Sequence, residues 1–316
     1  MQDPTRVDDV VLSDFEVLKV LRSDENLKLI AVQARRRRKS ELNDDAVDSQ
    51  DAVVVLEKKP FTEESAVAFT SDLNTQLTTI MRNDIYGLFD GISTDKASIV
   101  NAIKVTTIYP ATVDHIRKWS DQPFFMVRET AQDYKQITEP YILRNKLSLE
   151  WVYAVLSGKA EAERIVCNDQ DTENGFVLAP SLRWDGVNKE QLDLTAIVRR
   201  SDVKSIRDLR ADHLPLLYNL WKKCTATIKT KYGAEANELR AYFHYQPTYY
   251  HLHVHFTYLK EWNAGTAAGR AHLFMDVVQN LQTDGNYYAK RTMYFTLRRD
   301  DPLLTLLGDS HQLECF

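Results

Sequence analysis

Residues 249–256 alternate polar and apolar side chains in the way that a half-buried β-strand requires. Side chains of a strand point to opposite faces in turn, so histidines at every second position share one face. The histidines are His251, His253 and His255, and the apolar residues that follow them are Leu252, Val254 and Phe256. Titratable rings contribute little to core packing. The row therefore predicts a functional site on one face of a sheet and a core on the other.

Four interpretations of this histidine row fit its spacing. Alternate histidines on a strand can supply ligands to zinc, and a metal shell would normally recruit a further histidine or carboxylate from a distant part of the chain. The rings can instead be structural and donate to backbone carbonyls, or they can form a site that only binds a ligand. The fourth interpretation is nucleophilic catalysis on phosphorus, in which one neutral imidazole attacks and its neighbours orient it. Spacing alone leaves all four open.

The length of 316 residues predicts two domains, because one domain takes about 150 residues. The best boundary is the polar turn at 120–123, which divides the chain into residues 1–120 and 121–316. Hydrophobic residues make up 44% of the chain, enough for sizeable cores. No apolar run approaches the ~18 residues that span a bilayer, and the first residues lack the pattern of a secretory signal.

The net charge of −5 is unlike that of a protein that neutralises many phosphates of a long nucleic acid, so a small or short ligand is favoured. The dense basic run at 35–39 lies between a strand-like run and an acidic loop. A solvated hairpin end is therefore favoured over a nuclear-import signal or an anion-binding patch. The cysteines, Cys167, Cys224 and Cys315, are too few and too widely spaced for a disulfide framework or a zinc motif. They predict reduced thiols in an intracellular protein.

Hydrophobic periodicity predicts an α+β fold for both parts of the chain. In the first part the predicted strands are 15–20, 27–34, 52–56 and 102–109, and the predicted helices are 65–77 and 112–119. In the second part the predicted helices are 133–138, 148–156, 212–232 and 271–281. Its predicted strands are 162–167, 175–179, 192–199, and a hairpin of 239–245 with 250–259.

Further motifs resemble those of the scavenger mRNA decapping enzyme family, which belongs to the histidine triad superfamily of nucleotide hydrolases and transferases. His-x-His-x-His followed by apolar residues is the signature of that superfamily. Motifs similar to the second domain of the family lie at 151–153, 159–166, 175–178, 207–209, 213–217, 291–292 and 301–304, and motifs similar to its first domain lie at 51–54, 83–86 and 109–112. The resemblance extends from about Phe15 to Leu307 and is far more specific than the histidine row.

This resemblance implies hydrolysis of the triphosphate bridge of 7-methylguanosine-capped short RNA left by 3′-to-5′ decay, with release of 7-methylguanosine monophosphate. It implies that His253 is the nucleophile and forms a nucleotidyl-histidine, while His251 and His255 donate to phosphate oxygens or to the leaving group. His244, on the partner strand, matches a further family histidine. Neutral imidazole is abundant at neutral pH because its unperturbed pKa is about 6.5. The family needs no metal, so a metal-free site without a cofactor is expected.

The resemblance also implies how the cap is recognised. Methylation at N7 makes guanine cationic, so an aromatic ring can stack on it with cation–π attraction. Trp151 matches the stacking tryptophan, Leu182 the opposing apolar wall, and Glu161 the carboxylate that accepts from the guanine edge. The family pattern Pro-Asp-Leu-Lys is here Pro180-Ser181-Leu182-Arg183, so Arg183 keeps the charge while Ser181 lacks the carboxylate that contacts the ribose. Other matching cap-side or phosphate-side positions are Asn83, Tyr86, Lys118, Thr248, Tyr249 and Arg270.

The family resemblance further implies a homodimer with exchanged N-terminal segments. The first domain, with Asn83, Tyr86 and Lys118, would close over an antiparallel histidine-triad core and exclude long RNA. No membrane partner is expected. The predicted compartment is the cytoplasm, with the nucleus left open. Two rival functions also stay open: a catalytically silent cap-binding sink, and a general dinucleoside polyphosphate hydrolase of the same superfamily.

Overall fold

The computed structural model describes residues 12–36, 50–71, 76–83, 86–92, 102–144, 149–181, 184, 186–260 and 264–308. Backbone contacts divide the chain into two units, residues 1–121 and 122–316. The predicted boundary follows residue 120, in a polar turn. Both units combine helices with antiparallel sheets, so the predicted α+β class is confirmed.

The first unit is built around an antiparallel sheet. Its elements are β1 (Phe15–Asp24), β2 (Leu29–Arg36), β3 (Asp51–Lys58), α1 (Glu63–Ser71), β4 (Gln76–Asn83), β5 (Tyr86–Ile92), β6 (Ile103–Ile108) and α2 (Val113–Trp119). In the described residues the strands of the sheet follow the order β1-β2-β3-β6. The β-branched run predicted as a buried strand forms β3, where Val53 and Val55 pack on the face that meets Ile116 of α2.

The helix predicted at 65–77 is shorter than expected. It ends at Ser71, and Leu77 lies instead in β4, which pairs with β5. Near the helix end the hydroxyl of Thr70 donates to the carbonyl of Ala66 (2.9 Å), and such local bonds compete with helix propagation. The β-branched residues that follow favour a strand. Helix α2 agrees with its prediction and begins after Thr112, whose hydroxyl accepts from the amide of His115 (3.4 Å).

The second unit contains the histidine row. Its elements are β7 (Phe124–Glu129), α3 (Ala131–Asp133), α4 (Glu139–Arg144), α5 (Glu150–Leu156), β8 (Cys167–Asn168), β9 (Phe176–Pro180), β10 (Asp193–Val198), α6 (Leu214–Tyr232), β11 (Leu239–His244), β12 (His253–Tyr258), β13 (Ala271–Leu273), α7 (Phe274–Thr283), α8 (Tyr287–Lys290), β14 (Met293–Arg298) and α9 (Pro302–Leu307). In the part of this unit that the structure describes, the main sheet has the order β13-β11-β12-β10-β9-β8. Strand β12 is therefore hydrogen-bonded along both of its edges.

The two faces of this sheet have different partners. On one face Val254 and Phe256 of β12 join the main core with residues of α6 and α7. On the other face Ile197 of β10 packs against Val152 and Val155 of α5. The apolar half of the alternating pattern is thus buried in the core, as predicted.

Helix α6 ends where it was predicted to end and begins two residues later than predicted, after a 3₁₀ turn at Ala211–His213. Pro215 lies in its first turn, and Gly233 ends it in the left-handed region with φ of +66°. Its buried residues form a stripe at helical spacing that faces the main sheet. Among the described residues, no helix combines the length and the apolar character needed to cross a membrane.

Three predicted elements of the second unit are wrong in part. The strand predicted at 162–167 is a 3₁₀ turn at Ala162–Arg164 followed by the short β8, because Glu161 adopts a left-handed φ of +53° and curls the chain. The helix predicted at 271–281 begins only at Phe274, since the residues before it pair with β11 as β13. The helix predicted at 133–138 is a π-helical turn, Tyr134–Thr138, between α3 and α4.

Candidate active site

His253 and His255 lie in the interior of the main sheet, on the face that α5 covers. His253 begins β12 opposite Ile197 of β10, and His255 lies opposite Thr195 of β10 and Tyr242 of β11. Paired residues of antiparallel strands share a face, so neighbours on both sides hold the two rings. His253 is only 5% exposed, which removes its ring from bulk water.

His251 does not belong to this strand, contrary to the prediction of a strand from residue 250. It lies in the loop that joins β11 to β12, where the amide of Leu252 bonds to the carbonyl of Val203 (2.9 Å) outside the strand ladder. The His251 ring is buried and donates from Nε2 to the carbonyl of Val198 (2.7 Å). The alternation argument thus holds for His253 and His255, while the His251 ring is tied to a backbone carbonyl.

A hydrogen bond to this loop sets the tautomer of His253. Nδ1 of His253 lies 2.8 Å from the carbonyl oxygen of His251. Since a carbonyl only accepts, Nδ1 carries the proton and Nε2 bears the lone pair. Burial disfavours the charged ring and lowers the pKa of His253 to about 4, although the bond to the His251 carbonyl opposes this shift. The ring is therefore neutral at neutral pH and presents a nucleophilic nitrogen.

This burial predicts that acid destabilises the fold through His253. The unfolded ring titrates near 6.5 and the folded ring at about 4, so between these values the unfolded state binds more protons. The free energy of unfolding should fall by up to about 3 kcal/mol from this ring as the pH drops through that window. Urea titrations of the wild type and of His253→Asn across the window measure the effect. The variant should lack this part of the pH dependence. If the free energy of unfolding fell equally steeply with pH in both proteins, the prediction would be wrong.

His244 and His255 form, together with His253, a group that we call the histidine cluster. Ring centroids lie 4.4 Å apart for His244 and His255 and 5.2 Å apart for His253 and His255. One ring nitrogen of each member lies within 4.8 Å of those of the other two. Nε2 of His244 lies 3.0 Å from the carbonyl oxygen of Gly265, so it carries the proton of that ring. Such a cluster can hydrogen-bond phosphate oxygens, and its nitrogens are also of the kind that hold transition metals.

Tyr249 connects His253 to the predicted stacking residue Trp151. The Tyr249 ring stacks on His253 with centroids 4.1 Å apart and meets Trp151 edge-on at 6.0 Å. Burial raises the pKa of Tyr249, so its hydroxyl stays protonated. Trp151 itself is 44% exposed, although a tryptophan in an apolar helix would ordinarily be buried. Because Trp151 is exposed next to these rings, its indole can serve as a contact surface for a ligand.

Arg164 joins the predicted base-recognition residues into one hydrogen-bonded unit. Its guanidinium donates to Oε2 of Glu161 (2.7 Å) and to the backbone carbonyls of Pro180 (3.2 Å) and Ser181 (3.1 Å). The indole N–H of Trp151 donates to the other oxygen of Glu161, Oε1 (3.0 Å). Glu161 is thus oriented between an indole and a guanidinium. Sequence reasoning included Arg164 only within a motif and gave it no role, although its i,i+3 spacing from Glu161 is a signal for an ion pair.

The remaining predicted site residues are spread over both units. Thr248 is exposed in the loop between β11 and β12. Arg270 lies next to the start of that loop, where its carbonyl accepts from the amide of Tyr245 (2.9 Å). Lys118 lies on α2 of the first unit. Outside the described residues lie Leu182, Arg183 and the side chains of Asn83 and Tyr86.

Two residues that sequence reasoning missed support the cluster from neighbouring strands. Oγ1 of Thr195 lies 3.5 Å from Nδ1 of His255, and the Tyr242 ring stacks on His255 with centroids 5.2 Å apart. Tyr242 alternates with His244 on β11, which was a signal that they share a face. Thr195 had no such signal, because its position opposite His255 follows from strand register.

Comparisons with known proteins match both parts of the chain. The family model described as scavenger mRNA decapping enzyme N-terminal matches residues 10–122, and the model described as scavenger mRNA decapping enzyme C-term binding matches residues 150–268. The chain is 41% identical over 301 residues to a protein of Homo sapiens. The aligned region covers 95% of this chain and 87% of that protein. It is 41% identical over 259 residues to a protein of Ascaris suum (82% and 85% covered) and 35% identical over 285 residues to one of Schizosaccharomyces pombe (86% and 87% covered). All three relatives are named m7GpppX diphosphatase.

Proposed function

The chain belongs to the scavenger mRNA decapping enzyme family, and on this premise we propose that it hydrolyses the 5′–5′ triphosphate bridge of short RNA and dinucleotides capped with 7-methylguanosine. The substrates are fragments left by 3′-to-5′ mRNA decay, and one product is 7-methylguanosine monophosphate. One arrangement carries the proposal: neutral His253 stacks on Tyr249, which contacts the exposed Trp151. Tyr249 thus connects the nucleophile to an aromatic surface that can bind a cationic base.

In the proposed first step His253 acts as the nucleophile. The lone pair of Nε2 forms a bond to the phosphorus next to the methylated nucleoside, and the bond from that phosphorus to the bridging oxygen breaks. The rest of the substrate leaves as a diphosphate, with the electron pair of the broken bond on its oxygen. The ring then carries a positive charge. The carbonyl of His251, which accepts from Nδ1, stabilises that charge.

In the proposed second step water attacks the same phosphorus and the bond to Nε2 breaks. This step releases 7-methylguanosine monophosphate, returns the electron pair to Nε2 and restores the neutral tautomer of His253. The proton of the water passes to a phosphate oxygen or a neighbouring imidazole. His244 and His255 are the neighbouring imidazoles of the histidine cluster. Nε2 of His244 donates to the carbonyl of Gly265, so the nitrogen with which His244 can take up this proton is Nδ1.

The methylated base is proposed to bind through its charge and its edge. Stacking of the cationic ring on Trp151 contributes about 0.5–2 kcal/mol. Glu161 accepts hydrogen bonds from the guanine edge, and Arg164 holds that carboxylate against the backbone of Pro180 and Ser181. Ser181 lacks the carboxylate of the family pattern, and its contribution here is the carbonyl that accepts from Arg164.

Replacing Arg164 with Gln should weaken the binding of 7-methylguanosine monophosphate about tenfold, because Glu161 loses its charged partner and its orientation. KM should rise while kcat changes little, since the lost interaction contributes equally to the bound substrate and the transition state. Lysine at this position should restore only part of the affinity, because it cannot make the forked contacts of arginine. Tryptophan fluorescence titration and steady-state kinetics measure both effects.

A matched control for Arg164 is Arg200→Gln, which removes the ion pair of Arg200 with Asp202. This control should leave the affinity for the nucleotide unchanged. An unchanged affinity in Arg164→Gln, or an equal loss in both variants, would show that Arg164 does not position Glu161.

Incubation of the chain with a capped dinucleotide in the presence of EDTA tests the proposed function. Chromatography should show 7-methylguanosine monophosphate and a nucleoside diphosphate, with faster turnover of the methylated than of the unmethylated cap. A cap that binds but stays intact would support the silent binding sink instead. Equal turnover of both caps would support the general dinucleoside polyphosphate hydrolase.

We also propose that the chain forms a homodimer with exchanged N-terminal segments. Support comes from apolar side chains that the first unit leaves exposed, a feature common at protein interfaces. They include Val17, Leu18 and Val20 of β1 and Leu77, Ile80 and Met81 of β4. Light scattering should give twice the chain mass of 36.5 kDa, and Val17→Glu combined with Ile80→Glu should shift the mass toward one chain. A monomeric wild type would contradict the proposal.

A further inference from the structure

The histidine cluster has a coordination chemistry that the proposed reaction does not use. His244, His253 and His255 each place one ring nitrogen within 4.8 Å of those of the other two. Imidazole nitrogen is a good ligand for zinc, copper and nickel, whereas magnesium and calcium prefer oxygen. Three protein ligands with an open fourth position are the usual set of a zinc ion that also binds a small molecule.

Hydrogen bonds behind two of the rings orient them as metal ligands. Nδ1 of His253 donates to the carbonyl of His251 (2.8 Å), and Nε2 of His244 donates to the carbonyl of Gly265 (3.0 Å). Histidines that bind metals almost always donate their second nitrogen in this way, which fixes the tautomer and the ring orientation. The lone pairs are therefore on Nε2 of His253 and Nδ1 of His244.

The strands hold the three rings close to the spacing that a metal ion needs. With metal–nitrogen bonds of about 2.1 Å, the ligand nitrogens of a tetrahedral zinc lie about 3.4 Å apart. The nitrogens lie within 4.8 Å of one another, so each pair needs to close by at most about 1.4 Å, a movement within the range of side-chain rotation. His244 is on β11 and the other two rings are on β12, and these strands pair directly.

We propose that the histidine cluster binds one zinc ion, or a similar late transition-metal ion, and that this ion inhibits the enzyme reversibly. The inhibitory half of this inference rests on the proposed function, whereas the binding half does not. Nε2 of His253 uses the same lone pair to coordinate a metal and to attack phosphorus. Metal binding and formation of the nucleotidyl-histidine therefore exclude each other. The ion is an inhibitor of the metal-independent reaction and not its cofactor.

Titration of the full chain with Co²⁺, after removal of bound metal with EDTA and dialysis, tests the binding half. We expect one ion per chain, with the visible absorption of four-coordinate Co²⁺ that Zn²⁺ then displaces. His253→Asn and His244→Asn should each weaken binding by about 100-fold or more, since loss of a second-shell partner alone costs about 10- to 100-fold. The matched control is His272→Asn on β13, which lies opposite Phe243 on the core face and should bind Co²⁺ like the wild type.

Circular dichroism establishes which variants are folded, and His255→Gln serves as a further ligand variant if His244→Asn is not. Binding that survives in folded His253→Asn, or a wild type without one-to-one binding, would overturn the inference. For the inhibitory half, Zn²⁺ should stop turnover of the capped dinucleotide, EDTA should restore it, and Mg²⁺ should have no effect. Stoichiometric binding without inhibition would overturn that half. Turnover by a chain that binds no Co²⁺ would refute this inference alone. A chain that binds Co²⁺ but shows no turnover when it is metal-free, in EDTA, would refute the proposed function alone.

Discussion

His253→Asn is expected to lower kcat for the capped dinucleotide by about 10⁴-fold or more, because only binding and electrostatic stabilisation remain when the nucleophile is removed. Affinity for 7-methylguanosine monophosphate should stay close to that of the wild type, since Trp151, Glu161 and Arg164 are unchanged. Single-turnover kinetics measure the first effect and fluorescence titration the second. In the wild type, an acid-free quench followed by mass spectrometry should find the nucleotide on His253.

The control for this prediction is His272→Asn, which replaces another histidine of the second unit on the core face of the sheet. It should turn over at the rate of the wild type. Thermal melts by circular dichroism show that each variant is folded, and His253→Gln provides a second test of the nucleophile. Turnover near the normal rate in a folded His253 variant, or an adduct on a different histidine, would show that the nucleophile is misassigned.

Arg207 and Glu129 form a buried ion pair that ties together several segments of the second unit. Both side chains are 0% exposed. The guanidinium also donates to the backbone carbonyls of Tyr288 (2.9 Å) and Arg291 (2.6 Å). The Glu129 carboxylate accepts from the hydroxyl of Tyr245. Burial, together with the charge of this carboxylate, raises the pKa of Tyr245 well above its usual value.

The same ion pair anchors the loop that carries the site residues Tyr249 and His251. The loop begins at Tyr245, and the side-chain amide of Gln246 donates to Oε2 of Glu129 (3.4 Å). Gln246 in turn accepts from the hydroxyl of Tyr250 (2.6 Å). Loss of the ion pair therefore affects the position of the loop as well as stability.

Arg207→Met is expected to lower the free energy of unfolding by about 3–5 kcal/mol, because it leaves the Glu129 carboxylate buried without its charged partner. Urea titration at neutral pH measures this loss. The double variant Arg207→Met/Glu129→Leu should recover part of it, since no unpaired charge remains. Arg200→Gln, at a pair whose side chains are 24% and 62% exposed, should cost less than about 1 kcal/mol. A double variant whose loss is the sum of the two single losses would contradict the electrostatic explanation.

Much of the fold follows from local patterns, and the errors have local explanations. Pro215 and Gly233 bracket α6 because proline suits a first helical turn and glycine suits a left-handed end. The prediction at 162–167 was wrong because side chains there are compatible with a strand, while the turn depends on the left-handed backbone of Glu161. The contact of Glu161 with Trp151 spans ten residues of sequence, and no local pattern reveals it.

Part of the candidate site could likewise be predicted from the sequence, and part could not. The histidines, Trp151 and Glu161 were identified from motifs in the sequence, whereas the role of Arg164 required the structure. Arg164 acts through carbonyls of Pro180 and Ser181, which are brought to it only when β9 is in place. Backbone groups carry no residue-specific signal, so contacts to them are invisible to motif analysis.

The sequence by itself determined that His253 and His255 share a face and that Val254 and Phe256 are in the core, because alternation is a local property of an extended backbone. It did not determine the charge or the tautomer of any ring. Those properties depend on burial between neighbouring strands and on the carbonyl that each ring meets, such as that of His251 behind His253. Only the tertiary structure brings these groups together, and it therefore decides which nitrogen is the nucleophile.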